Sequence, residues 1–169
     1  MARNPPKARA SLVKHGPIVQ VQIGFDPEYR RGKRPRLGDE RFGALIDTGA
    51  DQSFVDPAVA DRVLMPQVDW TVLRATDGTR RARVHLAQVY IDLPELTLYG
   101  RFAQYPVSQN LPFHIILGRS FLQHAVMEYD GPNGTVKLAF GDNLEWTLLP
   151  DGKMTAMRLG NNGPTDFAV

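Results

Sequence analysis

The sequence predicts a mainly β fold, closed into a barrel and carrying one or two short helices. Three observations predict it: apolar and polar residues alternate in many short segments, turn-forming pairs separate those segments, and only two stretches show helical spacing. At 169 residues, 43% of them hydrophobic and 22% charged, the chain has the size and composition of one globular domain with tails.

The elements follow in order. Residues 1–16, MARNPPKARASLVKHG, carry prolines and basic residues without apolar periodicity and read as a flexible basic leader. The folded part, residues 17–140, opens with PIVQVQIGF, in which Ile18, Val19, Val21, Ile23 and Phe25 are interrupted by Gln20 and Gln22 in the period of a half-buried strand. A long basic connection, DPEYRRGKRPRLGDER, leads to a second strand that ends at Asp47. In DPAVADRVLM, Asp56 stands at an N-cap, Pro57 at the first helical position, and Val59, Val63 and Leu64 at helical spacing before Pro66 ends the helix.

From Val68 to Val107 the period of two returns in DWTVLRAT, RRARVHLAQVYIDL and LTLYGRFAQYPV, separated by Asp77-Gly78 and by Pro94. The first two read as a hairpin turning at Asp77-Gly78, since both residues tolerate positive φ. HIILGRSFLQHA is an apolar strand that meets Gly118 and continues as a short helix from about Ser120. EYDGPNGTVKLAF places Asn133-Gly134 at a tight turn; Asn133-Gly134-Thr135 also has the pattern of a glycosylation acceptor, and the turn is preferred because no secretory signal precedes it. The C-terminal extension, 141–169, holds one more strand-like piece at EWTLLP and then polar, glycine-rich residues that read as a disordered end.

Composition removes several classes of chemistry. There is no cysteine, so disulfides, thiolate nucleophiles and cysteine-based metal sites are excluded. His15, His85, His114 and His124 have no metal-binding spacing, no glycine-rich phosphate loop follows a strand, and no serine sits in a nucleophile elbow. No metal and no cofactor is expected. The formal net charge is +2, with the basic residues gathered early in the chain, above all in YRRGKRPR at 29–36. That run is a solvated loop or a surface for phosphates or an acidic partner; no interleaved aromatic stacking residues strengthen a nucleic-acid reading, so nucleic acid is not the expected partner. The N-terminus lacks an apolar signal region and no run of about 18 apolar residues is present, so a soluble, cytoplasmic protein without membrane contact is expected.

The stretch with chemical content is FGALIDTGADQS, residues 42–53. Its apolar run carries Asp47 out of the core, Thr48 adds a hydroxyl, and Gly49 permits close approach of another backbone. Farther along, Ile115 to Arg119 repeats the design of an apolar strand followed by glycine. With Asp47-Thr48-Gly49-Ala50 first and Ile116-Leu117-Gly118-Arg119 later, and a hairpin between them, the chain resembles the retropepsin-like aspartic peptidases, the family of the retroviral protease.

The resemblance covers about residues 17–140 and implies an acid-protease-type barrel forming a single lobe that dimerises. It implies that Asp47 is the catalytic carboxylate, that Thr48 holds two halves of the site together, and that Gly49, Ala50 and Asp51 line the substrate cleft. The hairpin residues Asp77, Gly78 and Thr79 would form a flap over the substrate, or else an ordinary surface hairpin. Ile116, Leu117 and Gly118 would support the site, and Arg119 would pair with Asp51 or lie solvated at the surface. Three departures stand out: the hairpin is poor in glycine, it carries Arg80, Arg81 and Arg83, and Ser120 follows Gly-Arg where the family usually has Asp or Asn.

Peptide hydrolysis by carboxylates needs one ionised group to activate water and one protonated group to polarise the carbonyl. No second Asp-Thr-Gly or Asp-Ser-Gly exists, since Asp77-Gly78, Asp130-Gly131 and Asp151-Gly152 lack the hydroxyl residue. The expectation is a homodimeric aspartic endopeptidase, two copies meeting at a two-fold axis at Asp47 and binding an extended peptide or protein substrate. The alternatives are a peptidase-fold binding or dimerisation module without useful catalysis, and an interaction protein that works through its basic leader and loop.

Overall fold

A computed structural model describes residues 6–75, 78–93, 95–140, 144–149, 151, 153–158 and 165–169. The elements are α1 (Pro6–His15), β1 (Ile18–Gly24), β2 (Phe42–Ile46), β3 (Phe54–Val55), α2 (Pro57–Arg62), β4 (Gln67–Ala75), β5 (Gly78–Ile91) and β6 (Leu96–Gln104). They continue as β7 (Ile115–Leu117), α3 (Arg119–Leu122), β8 (Val126–Asp130), β9 (Thr135–Phe140), β10 (Leu144–Leu148), β11 (Met154–Arg158) and β12 (Thr165–Ala168). No helix among the described residues is long and apolar enough to cross a membrane.

The fold is mainly β, and its larger sheet closes on itself. β1 pairs with β2, β2 with β7, β7 with β3, β3 with β6, β6 with β5, and β5 returns to β1. Closure removes the open edges that six such short strands would otherwise expose. β5 is long enough to serve two neighbours along one edge, β4 with its first half and β1 with its second, while β6 takes the other edge. β4 therefore extends outward as the far strand of a hairpin, and β12 adds to β6 in parallel.

Strand periodicity explains the interior. Val19, Val21 and Ile23 of β1, Val89 and Ile91 of β5, and Leu96, Leu98 and Phe102 of β6 are buried in one cluster. The second sheet, in the order β11-β10-β9-β8, contributes Val136, Leu138, Phe140, Leu144, Trp146 and Leu148 to the same cluster. The expected boundary at residue 140 thus falls between two paired strands, Leu144 facing Phe140 and Trp146 facing Leu138. Residues 144–148 belong to the core, and β11 and β12 follow where a disordered end is expected from composition.

The leader also differs from expectation. Residues 6–15 form α1, whose Leu12 is only 8% exposed in the main core, and Gly16 at φ +77° ends the helix with its N–H on the carbonyl of Leu12. One buried leucine is too little to register as periodicity, and Lys14 and His15 suit the negative end of the helix dipole. Among the described residues there are consequently three short helices, where one or two are expected. α2 follows its sequence signals: the Asp56 carboxylate accepts the N–H of Ala58 at 2.9 Å and that of Val107 at 2.8 Å, and Pro57 occupies the first turn.

The basic connection is ordered by one carboxylate. Asp26, 7% exposed, accepts the N–H groups of Arg36 at 2.9 Å and Glu28 at 3.0 Å, and its own N–H donates to the Gln88 side chain. The Arg36 N–H first, then the Glu28 N–H and the nearby guanidinium of Arg36, hold its carboxyl below the usual range against the opposing effect of burial. A depressed folded value contributes stability that is complete above the unfolded carboxylate range and is lost as pH falls through the folded value. Acid unfolding of the wild type is therefore expected to steepen below about pH 4 relative to Asp26→Asn, read from urea midpoints along a pH series. Trp146→Ala is expected to lower stability by about 3–5 kcal/mol, and a near-neutral result in denaturant unfolding would remove the C-terminal strands from the core.

Candidate active site

β2 delivers Asp47 to its position. Ala44, Leu45 and Ile46 run parallel to Ile115, Ile116 and Leu117 of β7, and the Asp47 N–H donates to the carbonyl of Leu117 at 2.9 Å. The chain then turns. Asp47 Oδ1 accepts the N–H of Gly49 at 2.7 Å, and a Cβ on Gly49 would lie 3.1 Å from that same oxygen, so glycine lets the carboxylate keep this contact. Asp47 is half-buried, while Thr48 and Gly49 are exposed.

The turn is clamped to the start of α3. The N–H of Arg119 donates to the carbonyl of Ala50 at 2.9 Å, and a Cβ on Gly118 would stand 2.3 Å from the carbonyl oxygen of Gln52 and 2.9 Å from that of Ala50. Only a residue without a side chain fits between these backbones. Fully buried Ser53 fastens the same junction, its Oγ accepting the N–H of Gly118 at 3.3 Å and lying 3.0 Å from Ser120 Oγ. Sequence reading passed over Ser53; its only signal was a hydroxyl directly before an apolar strand.

The expected ion pair takes another form. Arg119 Nη1 donates to the carbonyl of Thr48 at 3.0 Å, and Asp51 Oδ1 accepts the N–H of Gln52 at 2.9 Å. Both side chains are exposed, and a backbone carbonyl near the turn satisfies the guanidinium more locally than the Asp51 carboxylate does. Arg119 still braces the turn, one residue from the carboxylate.

An open groove of about 520 Å³ begins at the turn. Asp47, Gly49, Ala50 and Asp51 line one side of it, with Ile116 of β7 beneath. Phe54 and Tyr105, ring centres 5.8 Å apart, form an apolar wall, and Leu73 packs in the same small cluster. Val72, Leu73 and Arg74 of β4 bring the hairpin into the lining. Gly78 and Thr79 stand exposed at the start of β5 and do not line the groove, and Asp77 lies outside the described residues. Gly78 is the first strand residue, paired with Ala75, and has the positive φ of +123° expected of it. The hairpin contributes through β4, which borders the groove. His85, by contrast, is buried away from this chemistry with Nδ1 2.9 Å from the carbonyl of Met65.

No family model matches the chain, and no curated protein matches it. Among solved structures it is similar to the EIAV protease complexed with the inhibitor HBY-793, with 20% identity and a TM-score of 0.45 over 63% of this chain and 85% of that one. It is also similar to the solution structure of the Simian Foamy Virus (mac) protease, with 13% identity and a TM-score of 0.40 over 63% of this chain and 91% of that one.

Gly118→Ala is expected to cost about 1–3 kcal/mol or more, because both neighbouring atoms are backbone and cannot rotate away. Gly38→Ala, with open space around its Cβ, is the control and should change stability by less than about 0.5 kcal/mol. Equal unfolding midpoints for the two variants would remove the clamp from the account of the site.

Proposed function

We propose that the chain is one half of a homodimeric aspartic endopeptidase that hydrolyses a peptide bond in an extended polypeptide laid along the groove. The observation that carries this reading is the half-buried Asp47 carboxylate, held at the mouth of the groove by a glycine-dependent turn whose N–H it accepts at 2.7 Å. The groove supports a peptide substrate in particular. Its wall of Phe54, Leu73 and Tyr105 suits an apolar side chain, and the turn at Thr48 and Gly49 stands exposed beside it.

Each chain supplies one Asp-Thr-Gly turn, so the catalytic pair consists of Asp47 and the partner subunit's Asp47 across a two-fold axis. Two carboxylates about 3 Å apart cannot both ionise and share a single proton. The ionised member takes a proton from water, and the resulting hydroxide adds to the peptide carbonyl carbon as the protonated member gives its proton to the carbonyl oxygen. The tetrahedral diol then collapses: the protonated carboxyl gives its proton to the nitrogen, the C–N bond breaks, one diol hydroxyl returns its proton to the ionised carboxylate as the carbonyl re-forms, and a carboxyl and an amino terminus leave. The pair ends with one shared proton, as it began. Leu117, Gly118 and Arg119 act by holding the turn, through the Asp47 N–H, the backbone clamp and the Thr48 carbonyl.

Asp47→Asn is expected to lower peptide hydrolysis by about 10³-fold or more while leaving a folded dimer in sedimentation. The wild type should show a bell-shaped pH profile for kcat/KM. Full activity in the Asn variant, or an active strict monomer, would refute the assignment.

A further inference from the structure

The β4–β5 hairpin has two unlike faces. On one, Leu73 and Ala82 are buried against Ala103, Phe54 and Tyr105. On the other, the register sets Trp70 opposite Arg83, Val72 opposite Arg81, and Arg74 opposite Thr79, and alternation along each strand puts these residues on the same side. Trp70 is 45% and Val72 62% exposed, and Arg74, Arg81 and Arg83 are all exposed. An apolar centre with cations on its rim is an unusual use of a solvated sheet face, and tryptophan and arginine are the residues that interfaces favour.

The cations are available. Among the described residues no carboxylate pairs with Arg74, Arg81 or Arg83; nearby Asp69 is taken by Arg101. Two of them are also preorganised, since the guanidinium of Arg81 lies 4.5 Å and that of Arg83 5.9 Å from the centre of the Trp70 ring. Guanidinium groups stacked on an indole have already lost side-chain freedom, so less is lost when a carboxylate arrives. The same stacking covers the indole face that a nucleobase would need, which favours a carboxylate ligand over a nucleic acid. The patch is continuous with the groove, because Val72 and Arg74 line both.

We propose that this outer face of the hairpin is an accessory docking surface for an acidic segment of the protein substrate, in which Asp or Glu alternate with apolar residues. The choice of substrate as partner rests on the peptidase reading; the charge and apolar complementarity do not. Carboxylates bind Arg81 and Arg83, an apolar side chain covers Val72 and the edge of Trp70, and the adjoining chain enters the groove past Arg74. Docking of this kind raises local substrate concentration and stabilises ground and transition states alike, so it lowers KM and leaves kcat unchanged.

The test uses a short fluorescein-labelled peptide alternating Glu and Val, its Lys/Val counterpart, and a single-stranded oligonucleotide of equal charge, each followed by anisotropy on Asp47→Asn and on Asp47→Asn carrying Arg81→Glu and Arg83→Glu. The acidic peptide is expected to bind the first protein, to weaken about tenfold or more on charge reversal, and to weaken with added salt. Cleavage of a substrate bearing the acidic extension should show a raised KM and unchanged kcat in the Arg81→Glu, Arg83→Glu variant, whereas a substrate without the extension should be indifferent. Equal binding of both peptides, binding that survives charge reversal, or the oligonucleotide out-competing the acidic peptide would overturn the proposal. If no substrate is cleaved while acidic-peptide binding still fails on reversal, the docking surface stands and the peptidase reading falls.

Discussion

The structure depends on the close approach of two backbones, the 47–52 turn against the junction of β7 and α3. Parallel pairing of β2 with β7 aligns Ile46 with Leu117, the Asp47 N–H closes on the Leu117 carbonyl, and Gly118 passes beneath Ala50 and Gln52 where no side chain fits. Ring closure, the exit of α3 and the direction of the Asp47 carboxylate all follow from this contact. A carboxylate on a free loop would sample many orientations. Here the strand fixes its Cα, the Gly49 N–H fixes one oxygen, and Ser53 ties the supporting segment from below.

Much of this was legible in the sequence because each side of the contact carries its own short motif. Gly118 answers a requirement that only glycine meets, and Gly49 stands beside the carboxylate at the other side of the same junction, so the two motifs of the sequence mark both partners of the contact. α2 was legible for a similar reason: Asp56 and Pro57 carry a capping mechanism within two adjacent residues. What escaped were features that depend on distant partners. Leu12 is buried only because the core receives it, β11 and β12 are strands only because β10 and β6 offer edges, and Arg119 finds the Thr48 carbonyl in preference to Asp51 through the local course of the turn. Tyr105 joins the groove by way of Phe54, a contact made across a parallel pairing that periodicity cannot register.

The many arginines follow a second rule. In the 26–36 connection, Arg34 stacks on Tyr90 at 4.7 Å and Arg31 on Tyr99 at 5.0 Å, with Asp26 holding the loop from within. A charge run that looks like a solvated coil is thereby ordered by aromatic faces lying far away in sequence. The same pairing of guanidinium with ring recurs where hairpin arginines lie over Trp70 and over Tyr105 beyond β6. The basic residues are spread over the surface by stacking as much as by ion pairing, which keeps them extended and separated.

β5 gives the molecule a mechanical character. One uninterrupted ribbon of peptide runs from the hairpin beside the groove into the wall of the closed ring, gripping β4 at one end and β1 at the other. The register slip between Gln67 and Asp69 on β4 lies at the base of this arm, where a bulge bends and twists the strand. The strand that carries the hairpin beside the groove is thus the same strand that braces β1, and through it the β2 strand that ends at Asp47.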